Sequence, residues 1–155
     1  MAQECLIVID AWKEPTPPNL INFPYLKDET KTFGSYLNHT IKSIRPNFDI
    51  FHVTSNREIM EEIDTTKDQV FPYILDIPIQ YNKYYLCGFH LGRCIHKSAM
   101  ELATVVTHNQ IGIVFNMSLL FPNDDYNKMR ERDWFTLYNY VHRLKNFTTD
   151  CAPQR

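Results

Sequence analysis

A chain of 155 residues has the length of one ordinary domain, and 44% apolar with 14% aromatic residues is enough to build its core. A net charge of −2 and a pI near 6.3 exclude the clustered excess of Lys and Arg that a nucleic-acid surface requires. No run approaches the roughly 20 apolar residues of a membrane span, so residues 1–155 are read as a single domain with neither a nucleic-acid nor a membrane partner.

In chain order, the first element is Cys5–Asp10, CLIVID, a nearly continuous apolar run of the kind that forms a central strand covered on both faces. It opens with no basic segment or cleavage site ahead of it, so no secretory signal is expected. Lys13–Lys27 carries Pro15, Pro17, Pro18 and Pro24 and reads as an extended loop. Thr32–Ile44 places Phe33, Leu37, Ile41 and Ile44 at helical spacing, and Pro46 ends the run. Phe48–Val53 is a second strand. REIMEEI, from Arg57, reads as a short helix, and the following stretch to Asn82, broken by Pro72 and Pro78, as a short edge strand or an irregular cover. Tyr84–Phe89 and Ile111–Met117 are two further strands. Gly92 to His108 carries the apolar stripe Ile95, Ala99, Leu102 and Val106, and Asp124 to Phe147 the stripe Trp134, Leu137, Tyr138, Val141 and Leu144. Strands alternating with helices predict an α/β fold, a three-layer Rossmann-like sandwich with a mostly parallel central sheet and helices on both faces.

The four cysteines, Cys5, Cys87, Cys94 and Cys151, form no C-x-x-C pair and are too sparse for a disulfide scaffold, which points to a reducing, cytoplasmic setting. Only four glycines are present and none forms G-x-G-x-x-G, which argues against a phosphate-cradling nucleotide domain. His52, inside a strand, is read as a satisfied core or interface residue, and the excess of Tyr and Phe as core plus subunit contact, so a homo-oligomer is expected.

Ligands of open parallel sheets bind at the carboxyl ends of the strands. Asp10, the segment Gly88–Cys94 (GFHLGRC), and Asn116 with Ser118 are the polar features expected there. Gly92 as N-cap would put the Cys94 thiol in the first turn of a helix. There the unpaired N–H groups and the helix dipole favour a thiolate, and the same N–H groups can receive an oxyanion. Arg93 would add positive charge. Asp10 at the neighbouring strand end is a general base within reach of that thiol. Read alone, Cys94 is equally a small buried residue, and Asp10 equally a cap of the Pro-rich loop. An aspartyl phosphotransfer site usually has a second Asp two residues on, and position 12 is Trp.

The pair LIVIDAW and G-F-H-L-G-R-C-I resembles the isochorismatase-like cysteine hydrolase family, which includes nicotinamidases and carbamoylsarcosine amidases. The matching features are the apolar strand ending in Asp10 and a nucleophile pattern close to G-x-x-[ST]-x-x-C-[VI], met by Gly88, Cys94 and Ile95. The resemblance implies hydrolysis of an amide-type C–N bond in a small-molecule substrate, with no cofactor. Cys94 would be the nucleophile, Asp10 the general base, and the backbone N–H groups of His90 and Cys94 the oxyanion hole, with a cis peptide at Phe89–His90. The family's third catalytic residue is a Lys on a strand between the second and third strands named above. Lys67, before DQVF, is the candidate for it, and is equally an exposed loop lysine. The chain departs from the pattern at Leu91, where Ser or Thr is usual, at Gly92, often Asp, and at His90, usually a small residue. The Asp-x-His metal ligands of nicotinamidases are missing from TSNREIMEEID, so no metal is expected. These departures leave open a second reading, a catalytically inactive member of the family serving in binding or assembly.

Overall fold

A computed structural model describes residues 2–14, 22–122, 124 and 141–142. Among these residues the sheet has six strands, all paired in parallel: β1 (Glu4–Ile9), β2 (Asp49–Val53), β3 (Gln69–Phe71), β4 (Lys83–Leu91), β5 (Ile111–Leu120) and β6 (Val141–His142). Their order across the sheet is β3-β2-β1-β4-β5-β6. Among the described residues it is covered by the helices α1 (Leu26–Ile44) and α2 (Cys94–Leu102). The fold is therefore an α/β sandwich of the Rossmann-like kind.

Period-two alternation along the central strands sorts their side chains between the two helices. Leu6 and Val8 of β1, with Tyr85, Cys87 and Phe89 of β4, pack with Phe33, Leu37 and Ile41 of α1. Cys5, Ile7 and Ile9, with Tyr84, Leu86 and Leu91, pack with Ile95, Ala99 and Leu102 of α2. Both faces of β1 are thus dry, which is why CLIVI is continuous rather than alternating.

Several boundaries differ from expectation, each for a physical reason. α1 begins at Leu26 rather than Thr32, because Leu26 and Thr30 extend its buried stripe by two turns. Asp28 and Glu29 lie in its first turn and Lys42 in its last, each complementing the helix dipole. α2 stops at Leu102, well before His108, where the β-branched run Thr104, Val105, Val106 and Thr107 disfavours helix. The segment REIMEEI is not helical. Ile59 forms an antiparallel bridge with Trp12, and Lys13 and Met60 donate backbone hydrogen bonds to Glu58 and Ala11 (2.8 and 2.9 Å). The ambiguous stretch after it holds the short edge strand β3. The helix expected from Asp124 to Phe147 lies mostly outside the described residues. Its two described inner positions, Val141 and His142, pair as strand with Ile113 and Val114.

The sheet order reverses between β1 and β4, and the register there depends on a glycine. Gly88 pairs with Ile9 at φ +111°, and a Cβ at that position would lie 2.5 Å from the Ile9 carbonyl oxygen and 2.9 Å from its nitrogen. Both the positive φ and the backbone contact exclude a side chain. Gly88→Ala is expected to destabilise the domain by roughly 3 kcal/mol or more, read as a fall in the urea midpoint.

Candidate active site at the sheet switch point

The crevice between the carboxyl ends of β1 and β4 is the place where an open parallel sheet accepts ligands, and both chemistry-bearing residues end there. Asp10 follows β1 in the left-handed region at φ +51°, a conformation Asp tolerates better than most residues. Its N–H donates to the Val53 carbonyl (2.9 Å), and its own carbonyl accepts from the Trp12 N–H (2.8 Å). These bonds turn the chain sharply and leave the 8% exposed carboxylate facing β4. On the other side, β4 ends at Leu91 and Gly92 turns the backbone at φ +78°. Arg93, rather than Gly92, is then the N-cap, and Cys94 is the first residue of α2. The Cys94 N–H therefore belongs to the first turn, where helix geometry supplies no internal acceptor.

The Cys94 thiol and the Asp10 carboxylate lie near enough to shift each other's ionisation through charge and hydrogen bonding. Ser55, at φ +53° in the turn after β2, donates a hydrogen bond from Oγ to Asp10 Oδ1 at 3.2 Å. Burial pushes the Asp10 carboxyl above its ordinary value. The Cys94 and Ser55 hydrogen bonds and the charges of Arg57 and Lys97 oppose burial without cancelling it. Burial, then the negative charge of Asp10 and its hydrogen bond, push the Cys94 thiol up to about 12, against the charges of Lys97 and Arg93. At neutral pH the Cys94 thiol therefore holds its proton.

Two cation–aromatic stacks flank this pair. The Arg57 guanidinium lies 4.3 Å over the Trp12 ring, and the Trp12 indole N–H donates to the Thr54 carbonyl at 2.7 Å. The Arg93 guanidinium lies 4.0 Å over the Phe121 ring and donates to Asp124 from Nε (2.7 Å) and Nη2 (3.3 Å). The Phe121 ring also meets the His90 ring, nearly perpendicular to it and 5.0 Å away between centroids.

Asp10 and Cys94 thus come together, while His90, which follows a cis peptide bond from Phe89, reaches the same turn through its carbonyl, which accepts from the Arg93 N–H at 3.1 Å. Lys67 does not join them. It sits in the turn before β3, at the amino-terminal edge of the sheet, where it lines a groove of about 460 Å³ with Arg45, Asp49, Asp68 and Tyr81. The cations that do reach the Cys94–Asp10 pair are Lys97, Arg57 and Arg93. Lys97 had a signal in the sequence, because three residues after Cys94 on a helix is the same face. Ser55 and Arg57 had a weaker one in the turn-forming TSNR that follows β2. Asn116 and Ser118 are not at the mouth: β5 runs on to Leu120, and both residues are fully buried within it. His52 is buried in the interior, its Nε2 lying 2.9 Å from Asp68 Oδ2, but its Nδ1 meets no partner among the described residues, so it is only half satisfied.

Among the described residues, no three His, Cys, Asp or Glu side chains are grouped to hold a metal ion, and no helix is long and apolar enough to cross a membrane. No protein-family model matches the chain, and neither a curated protein nor a solved structure matches it significantly.

Proposed function

We propose that the protein is a cysteine hydrolase of the isochorismatase-like kind, cleaving an amide-type C–N bond of a small molecule. The observation that carries this reading is the placement of Cys94 beside Asp10 at the switch point of the sheet. A nucleophile and a general base side by side are the minimum that acyl transfer requires.

In the first step Cys94 Sγ attacks the carbonyl carbon as its proton passes to Asp10. A C–S bond forms, and the carbonyl oxygen takes the negative charge near the N–H of Cys94 at the helix start. The C–N bond then breaks, Asp10 returns the proton to the leaving amine, and a thioester remains. Water, deprotonated by Asp10, attacks the thioester, and the C–S bond breaks to release the carboxylic acid and restore the thiol. The raised carboxyl of Asp10 suits this task, since a base that accepts and returns a proton works best with a pKa moved toward the operating pH. Lys97 supports the transient sulfur charge from one turn along α2.

Rapid acid quench during turnover of a primary-amide substrate is expected to trap a mass increase of one acyl group on Cys94, and Cys94→Ala to abolish both adduct and ammonia release. Absence of any adduct and of ammonia release across a panel of small amides would instead favour a binding module, the reading supported by the distance of Lys67 from the site. Lys97→Gln is expected to raise the midpoint of the pH profile for Cys94 alkylation, because it removes a charge that favours the thiolate. An unchanged midpoint would remove Lys97 from the mechanism.

A further inference from the structure

The groove beside Lys67 exists because β3 is shorter than β2. β1 pairs with β2 along all of Asp49–Val53, whereas β3 pairs with it only from Phe51, opposite Gln69, to Val53, opposite Phe71. Carried back two residues, that register would set Lys67 directly opposite Asp49 as a cross-strand ion pair. The chain turns away instead, the Asp68 N–H donating to the Thr65 carbonyl at 3.0 Å, and no ion pair joins Lys67 to Asp49. A groove of about 460 Å³, a volume suited to a small molecule, is left open between them. Arg45 and Asp68 line it but are spent on each other, with both Nε and Nη2 of the guanidinium 2.9 Å from the carboxylate. Asp49 accepts the Tyr81 hydroxyl at 2.6 Å, which leaves its charge uncancelled because a phenol is neutral. Among the described residues, then, the groove presents one cation, Lys67, and one anion, Asp49, without ion-pair partners. Phe48, Ile50 and Pro78 supply apolar lining beside them.

We infer that this groove binds a free α-amino acid with a large apolar side chain, its carboxylate at Lys67, its ammonium at Asp49 and its side chain against Phe48 and Pro78. The site lies at the amino edge of the sheet, opposite the Cys94–Asp10 pair, so the inference stands apart from the hydrolase reading. A simple anion is attracted by Lys67 but repelled by Asp49, and a simple cation meets the reverse. A neutral apolar molecule would cover both charges without pairing either, which is costly. A zwitterion answers both at once through charge-assisted hydrogen bonds, and its side chain gains the apolar wall.

Isothermal titration calorimetry of the full chain tests each part of the ligand, using L-phenylalanine, 3-phenylpropionate, 2-phenylethylamine and glycine. L-phenylalanine is expected to bind at one site. Loss of the ammonium, the carboxylate or the ring is each expected to weaken binding by about tenfold or more, the scale of one charge-assisted pair. Lys67→Gln is expected to weaken L-phenylalanine about tenfold without weakening 2-phenylethylamine, which has no carboxylate to lose. Asp49→Asn keeps an acceptor for the Tyr81 hydroxyl, and is expected to weaken L-phenylalanine by a similar factor without weakening 3-phenylpropionate. Lys67 is exposed, so its variant gives a reading even where Asp49→Asn fails to fold. The inference is overturned by no saturable binding of L-phenylalanine, by either single-charge analogue binding as tightly, or by L-phenylalanine affinity that Lys67→Gln leaves unchanged. None of these readings depends on Cys94, so failure of the hydrolase reading leaves them standing.

Discussion

Replacing Asp10 with asparagine is expected to lower turnover by about 10²–10⁴-fold and, at the same time, to raise the stability of the fold. The two effects have one cause. Asp10 is 8% exposed, and burial holds its carboxyl above the ordinary value. A carboxyl whose folded pKa is raised favours folding while it is protonated, below its unfolded pKa, and that contribution is lost as pH rises through the folded pKa. As pH rises above the unfolded value, Asp10 therefore weighs increasingly against the native state. Asparagine keeps the shape and removes the charge, although it cannot take the Cys94 proton. The same substitution is expected to lower the midpoint of Cys94 alkylation, since the Asp10 charge and hydrogen bond both raise the thiol. Thermal melts at pH 7 and pH 4 check the sign: the advantage of Asp10→Asn should shrink at the lower pH. A variant that is less stable than wild type at neutral pH and loses no activity would sink the assignment of Asp10.

The second large effect is purely structural. Asp68, with a side chain 1% exposed, accepts from Arg45 Nε and Nη2 (2.9 Å each) and lies 2.9 Å from His52 Nε2. Arg45 Nη2 also donates to the Asp64 carbonyl at 2.8 Å, so the cluster ties the end of α1 to β2 and to the turn before β3. Burial alone would push the Asp68 carboxyl up, but the hydrogen bonds from His52 and Arg45 together hold it below the ordinary value. Removing one member of a buried ion pair costs about 3–5 kcal/mol, because the partner's charge stays behind unpaired. Asp68→Asn is expected to lose that amount, a large share of the roughly 5–15 kcal/mol that holds a domain of this size. Urea unfolding should show a lower midpoint at an unchanged slope. Because the folded pKa is depressed, the contribution is present above the unfolded value near 3.8 and fades as pH falls through the folded one. Wild type and variant should accordingly converge in acid. A loss below about 1 kcal/mol at neutral pH would show that the cluster is not what holds this corner.

The central strands, the parallel α/β class and the pair Asp10 and Cys94 were readable along the chain, because the signal for each is local. A continuous apolar run marks a strand buried on both faces, and its last polar residue marks the carboxyl end where ligands bind. A turn glycine followed by an apolar helical stripe marks where Cys94 begins α2. Tertiary structure decided the rest. Lys67 precedes β3, and in a parallel sheet a residue ahead of a strand lies at the amino edge, opposite the site. The rule was available, but β3 itself is three residues long and lacks a pattern of its own. Ser55 and Arg57 meet Asp10 and Trp12 across more than forty residues of chain, and Asp68 meets His52 and Arg45 across 16 and 23. Such charge pairings depend on which strand ends become neighbours, and that is set by the packing of both faces of the sheet together. Sequence by itself determined that Asp10 and Cys94 stand at strand and helix ends. Only the strand order, by setting β1 beside β4, brought the carboxylate to the thiol.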